Sequence, residues 1–298
     1  MKPHLVRRAH KATSGAARFG VTVAMTVAIA ACTSTPRRMV LVLEDYSGSH
    51  AASVATDATL VSDGIIPSMG SADALEVLPI DDAAVQQPAR IVSIDLTKVT
   101  LSQLSDGVAH ADQAESERRR AFLDTASRTA RAAILMSADE RSRFAALTDI
   151  IGAIQGAARS AKAGTSTTPT RWQRVLAVIV GEPLYETKVV IIIASDMLQE
   201  ARGIDFAHSP PTSARAITTL IARLQATDAI PDLSGADVIV TGATGTSASQ
   251  VDAVRHFWTQ YFHAAGAHLV AYDFDARSAV GSYFRPGGLT SGDRTPGT

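Results

Sequence analysis

Uninterrupted apolar runs alternate with helical patterns along most of this chain. Met39-Val-Leu-Val-Leu-Glu44 is a continuous apolar run without alternation, which suits a strand buried on both faces of a helix-covered parallel sheet. A helical pattern follows over residues 51–61. Ala74-Leu-Glu-Val-Leu-Pro-Ile80 and Arg90-Ile-Val-Ser-Ile-Asp-Leu96 read as the next strands. The stretch between them is too short for a crossover helix, so they pair antiparallel and one is an edge, where Pro79 is tolerable. Residues 104–136 are charged and Ala-rich and predict one long helix or two. Within them Glu115, Glu117, Arg118, Arg119 and Arg120 form a solvated charged face. Residues 148–163 are helical, a Gly/Ser/Thr loop follows, and a short apolar element covers 175–180.

The second half repeats the alternation. Lys188-Val-Val-Ile-Ile-Ile-Ala194 is the clearest buried strand. Ile217, Leu220, Ile221 and Leu224 form one stripe of a helix over 214–226. Strands at 236–240 and 268–272 flank a helix over 249–265. There Val251, Val254, Trp258, Tyr261 and Phe262 fall at the spacing of a core-facing stripe. Beyond Ser278, Gly, Pro and polar residues predict a flexible tail over 278–298. The expected architecture is α/β: one open, doubly wound, mostly parallel sheet with an antiparallel edge strand and helices on both faces.

The N-terminus follows another logic. Lys2, Arg7, Arg8, Lys11 and Arg18 precede an uncharged stretch from Phe19 to Ala31, the order of a secretory signal. That stretch is short for a spanning helix, which needs ~20 apolar residues. Ile29-Ala-Ala-Cys32 contains the chain's one cysteine and resembles the lipobox of bacterial lipoproteins, in which the cysteine is acylated and heads the mature protein. The expected organisation is a signal over 1–31, a lipidated Cys32 with a tether to residue 38, and one domain over 39–277. The tether holds that domain within about 20 Å of its anchor. A mature chain without cysteine pairs forms no disulfide framework. Loss of the basic signal leaves it mildly acidic, which argues against nucleic-acid binding. By the same resemblance, Thr33 after the cysteine implies the outer membrane, periplasmic side, if the host is Gram-negative.

In open α/β sheets, sites lie at the carboxyl ends of strands near the reversal of strand order. The first strand ends in Asp45-Tyr-Ser47-Gly-Ser49, a carboxylate and two hydroxyls able to converge in one turn. Thr148-Asp149 opens a helix, and the strand at 188–194 runs into Ser195-Asp196. These hard oxygen ligands suit Mg²⁺ or Mn²⁺ rather than zinc. The combination resembles a von Willebrand factor A domain with its metal-ion-dependent adhesion site, over residues 39–274. The resemblance implies that Ser47, Ser49 and Thr148 offer hydroxyls to Mg²⁺, while Asp45 and Asp196 ligate it or hold its waters. An open position would then take a carboxylate from a protein partner. The chain departs from that family with Leu147 in place of a common glycine, with Met197 after the last acid, and with an inserted segment over 163–186.

Two rival readings attach to the same residues. Val240-Thr-Gly-Ala-Thr-Gly245 imitates an NAD(P) phosphate loop through Gly242 and Gly245. However, Ala248 stands at the third glycine position, and too little chain follows for a dinucleotide fold. A phosphohydrolase of the haloacid dehalogenase type would use Asp45 as nucleophile with Thr148, Lys188 and Asp196 assisting. It wants a second acid where Ser47 stands. His256 and His263 share a helix face without an acid or cysteine to complete a zinc set. No complete catalytic set is present, so the expectation is a binding protein rather than an enzyme.

Overall fold

The computed structural model describes residues 37–80, 89–96, 111–141, 147–165 and 187–285. The signal, the lipobox with Cys32, and most of the segment over 163–186 lie outside them. At the centre is β1 (Arg38–Asp45), flanked on one side by β2 (Ala74–Ile80) and then β3 (Val92–Asp95). On its other side follow β4 (Lys188–Ala194), β5 (Asp237–Thr241) and β6 (His268–Asp273). The order is β3-β2-β1-β4-β5-β6; every pair is parallel except β2–β3. Strand order therefore reverses between β1 and β4, whose ends lie side by side with Glu44 opposite Ala194. Pro79 lies past the four paired residues of β3, where among the described residues β2 pairs with β1 alone and a missing N–H is tolerated.

Alternate residues of each strand feed opposite faces. Leu41, Leu43, Ile191 and Ile193 pack with helices α3 (Ile150–Thr165), α4 (Ala214–Ala226) and α5 (Ala248–Ala264). Val40, Val42, Val190 and Ile192 face α1 (Val54–Thr59), α2 (Ala111–Arg141) and α6 (Arg277–Phe284). The sheet is thus covered on both sides, as its continuous apolar strands require. Among the described residues, no helix is long and apolar enough to cross a membrane.

Three expectations need correction. Residues 278–284 are not tail: they belong to α6, which buries Val280 and Phe284. Tyr283 donates to Asp237 Oδ2 at 2.6 Å and the Arg38 guanidinium lies 4.8 Å over the Phe284 ring, so tertiary contacts order a polar, glycine-containing stretch. The first helix starts at Val54 rather than 51 and runs on to Ser68 through a π turn and a 3₁₀ turn. Pro67 accounts for that change of winding, because its ring cannot enter a regular α-helical ladder. On α5, Phe257 is fully buried and joins the stripe, whereas Val251 stays partly exposed.

The amino-terminal edge of the sheet is tied by ions. Arg38 contacts Asp73 through two guanidinium nitrogens, at 2.9 and 2.6 Å, and through its backbone N–H at 2.8 Å. Asp237 collects Lys188 at 3.0 Å and His268 at 3.2 Å besides Tyr283. These contacts leave the carboxyl edge to other work.

Candidate metal centre

The turn after β1 is organised by Asp45, which is fully buried. Its Oδ1 accepts the Ser47 N–H at 2.8 Å and its Oδ2 accepts the Ser195 hydroxyl at 2.7 Å. One carboxylate thereby joins the ends of β1 and β4. The Ser47 and Ser49 hydroxyls lie 3.1 Å apart, as side chains two residues apart in a turn allow. Asp196 is 2% exposed; its Oδ1 accepts the Leu198 N–H at 2.9 Å, while its buried Oδ2 has no hydrogen-bond partner among the described residues. An unsatisfied buried oxygen of this kind costs roughly 1–3 kcal/mol, more when charged.

Met197 follows with φ +68°, a left-handed backbone that costs a non-glycine residue about 1–3 kcal/mol. Its surroundings hold it there: Ser195 Oγ accepts its N–H at 3.0 Å, and Trp258 Nε1 donates to its carbonyl at 3.0 Å. The aromatic core of α5 thus fixes the loop that carries Asp196. Thr148 is buried, and its carbonyl accepts the Glu200 N–H at 3.0 Å, which ties the entry of α3 to the same loop. Asp149, beside it, is occupied structurally. It accepts from Gly152 N–H at 3.0 Å as a helix cap, and from Arg202 Nε at 2.8 and 2.9 Å.

A second group lies behind this turn. Glu44 shares the face of Val40 and Val42, opposite to that of Asp45. Glu44, His50 and Asp57 are all buried, and one potential ligand atom of each lies within 4.8 Å of the others; this group could hold a metal ion. His50 Nε2 is 2.9 Å from Asp57 Oδ2, yet neither Glu44 carboxylate oxygen has a partner among the described residues. Burial, then the charges of Asp57 and Asp45, push the Glu44 carboxyl well above its ordinary range. Burial also raises Asp45, with Asp196 adding to it and the Ser195 hydrogen bond opposing it. For His50, burial favours the neutral ring, but the Asp57 hydrogen bond and the charges of Asp45, Asp57 and Asp196 outweigh it and raise its pKa. Glu44 and Asp196 keep buried oxygens that no donor among the described residues reaches, a need that a cation would meet.

Of the residues singled out by spacing, Asp45, Ser47 and Ser49 share the turn after β1, the charge of Asp196 acts on Asp45 from the end of β4, and the Thr148 carbonyl is tied to the loop after Asp196 through the Glu200 N–H. Lys188 does not. It opens β4 opposite Arg38, six residues and about 20 Å from the carboxyl end, and bonds Gly235 O and Asp237. The Gly242 loop is pinned to the site: Thr244 N–H reaches Asp196 O at 3.3 Å and Gly242 N–H reaches Phe274 O at 3.0 Å. Gly242 has φ +87°, and a Cβ there would stand 2.6 Å from His50 Cε1, so the glycine makes room for the imidazole. His256 and His263 are exposed on α5. Glu44, His50 and Asp57 were missed by sequence reasoning. The available signal was a glutamate ending an apolar run at the parity of its buried valines.

No protein-family model matches the chain, and no curated protein matches it. Solved structures resemble it at low identity. Proximal thread matrix protein 1 from the mussel byssus is 12% identical with a TM-score of 0.34, over 84% of this chain and 46% of that one. The pilus adhesin SpaC from Lactobacillus rhamnosus GG, in an open conformation, is 14% identical with a TM-score of 0.42, over 84% and 29%. The human COPII-coat protein Sec24c is 12% identical with a TM-score of 0.30, over 84% and 32%. The chain thus spans less than half the length of each.

Proposed function

We propose that this chain is a von Willebrand factor A-like binding protein that engages a protein partner through Mg²⁺. Asp45, Ser47, Ser49, Thr148 and Asp196 would hold the ion. The observation that carries the reading is the buried, unpartnered Asp196 Oδ2 at the edge where the Ser47–Ser49 hydroxyl pair and Asp45 meet. An all-oxygen set of this kind suits Mg²⁺, or Mn²⁺, which keeps some waters and leaves a position for a ligand from outside. A carboxylate from the partner fits that position. Leu147 and Phe274, 49% and 66% exposed at the same edge, supply apolar contact area around it. The N-terminal signal and Cys32 fit export and lipid anchoring to a bacterial cell envelope.

Calorimetric titration of Mg²⁺ and Mn²⁺ into the chain, beside Asp196→Ala, tests the reading. Binding by the wild type and none by the variant is the expected result. Absence of binding in both would remove the metal from the proposal and leave a metal-free binding surface. The haloacid dehalogenase-type reading predicts instead Mg²⁺-dependent hydrolysis of a phosphoester, lost in Asp45→Asn. The position of Lys188 at the far edge speaks against it.

A further inference from the structure

We infer that Glu44, His50 and Asp57 form a second metal site, distinct from the all-oxygen site, for a divalent transition-metal ion of the zinc class. The three side chains are 0%, 1% and 5% exposed and come from the end of β1, the turn after it and helix α1. Their ligand atoms lie within 4.8 Å of one another. Donors bound to one Zn²⁺ at ~2.0–2.2 Å stand a little closer than that, so closing on an ion takes less than about 1 Å of movement per side chain. The independent observation is Glu44, whose two buried oxygens lack any partner among the described residues. Protonation does not resolve this, because a neutral carboxyl still needs an acceptor for its O–H. A cation does. An imidazole beside two carboxylates selects Zn²⁺ and its transition-metal neighbours over Mg²⁺ or Ca²⁺, which take oxygen ligands.

The connectivity gives the ion a purpose. His50 immediately follows Ser49, and its N–H bonds the Ser47 carbonyl at 3.1 Å; Ser53 N–H and Asp57 N–H continue the chain of turns into α1. Binding His50 and Asp57 to Glu44 clamps the turn that carries both serine hydroxyls to the last residues of β1. Gly242 backs the imidazole from β5 and limits where the ring can move. With three protein ligands the ion keeps one coordination position for water, and the effect drawn from the connectivity is that it holds the turn. It does not rest on the Mg²⁺ reading.

The test uses the full chain, stripped of metal and returned to millimolar Mg²⁺ so that oxygen-only sites are occupied. Zn²⁺ alone is the probe, with metal content after dialysis and Tm as readouts. Co²⁺ in its place reports coordination through its visible absorption. The expected result is one Zn²⁺ per chain with a rise in Tm. Glu44→Gln should weaken Zn²⁺ by about tenfold or more, while Asp45→Asn retains it. Glu44→Gln also keeps the experiment decisive if His50 variants misfold. The variant should still melt cooperatively while the zinc-induced increment in Tm disappears. Equal zinc uptake by wild type and Glu44→Gln, or none by the wild type, would overturn the inference. If Asp196→Ala binds no Mg²⁺ but keeps zinc, this site stands whatever becomes of the other.

Discussion

Glu44 concentrates the electrostatic tension of the carboxyl edge. Without metal, burial raises its carboxyl above the ordinary value of 4.5. Between that value and the raised one, the folded state binds more protons than the unfolded state. Its contribution to stability is therefore fully present below about pH 4.5 and is lost as pH rises through the folded value. In chelator, the wild type should lose stability from about pH 5 upward relative to Glu44→Gln. The variant should end ahead by on the order of 1 kcal/mol, as read from urea denaturation at a series of pH values. Parallel profiles would show that Glu44 is already paired in solution. At this scale the sequence was half legible. Asp45-x-Ser47-x-Ser49 announces itself because two-residue spacing suffices to converge in a turn. The Glu44 group does not, because His50 and Asp57 reach it only once the turn and the first helix have formed.

Strands were the most readable elements, since buried parallel strands are runs of Val, Ile and Leu with little else able to explain them. β2, β4 and the helix over 214–226 have the expected bounds. Helix ends and the last element were less readable because they depend on contacts distant in sequence. α6 has only eight residues and is poor in strong helix formers. It exists because Val280 and Phe284 are buried and because Asp237, itself held by Lys188 and His268, accepts from Tyr283. Phe284→Ala should cost about 3–5 kcal/mol, by lost burial, a cavity and the loss of the Arg38 contact. Tyr283→Phe should cost about 1 kcal/mol, because Asp237 keeps its two cations. Denaturation of both variants, with amide exchange on α6, checks the order. If Tyr283→Phe proves the more damaging, a hydrogen bond rather than burial docks the helix.

Across the whole molecule, the two edges of one sheet divide the labour. At the amino-terminal edge, buried acids are matched: Asp73 by Arg38, Asp237 by Lys188 and His268. At the carboxyl edge the match is incomplete: Asp57 and Asp149 have His50 and Arg202, but among the described residues Glu44 and Asp196 keep oxygens without partners, and Met197 holds a strained backbone beside them. Such unmatched groups destabilise the chain unless an ion or ligand meets them, so stability and binding should respond to different residues. Arg38→Ala leaves Asp73 buried without its ion pair and should cost about 3 kcal/mol, on the order of 10 °C in Tm. Its Mg²⁺ affinity should stay within about twofold of wild type, because the strands between the edges are rigidly packed and distant sites behave independently. Asp196→Ala should do the reverse, abolishing Mg²⁺ binding while leaving the metal-free Tm unchanged or raised. Calorimetry and melting on the two variants decide the matter. A joint fall of Tm and Mg²⁺ affinity in Arg38→Ala would mean that the sheet transmits strain from one edge to the other and that the carboxyl site depends on the ion pairs opposite it.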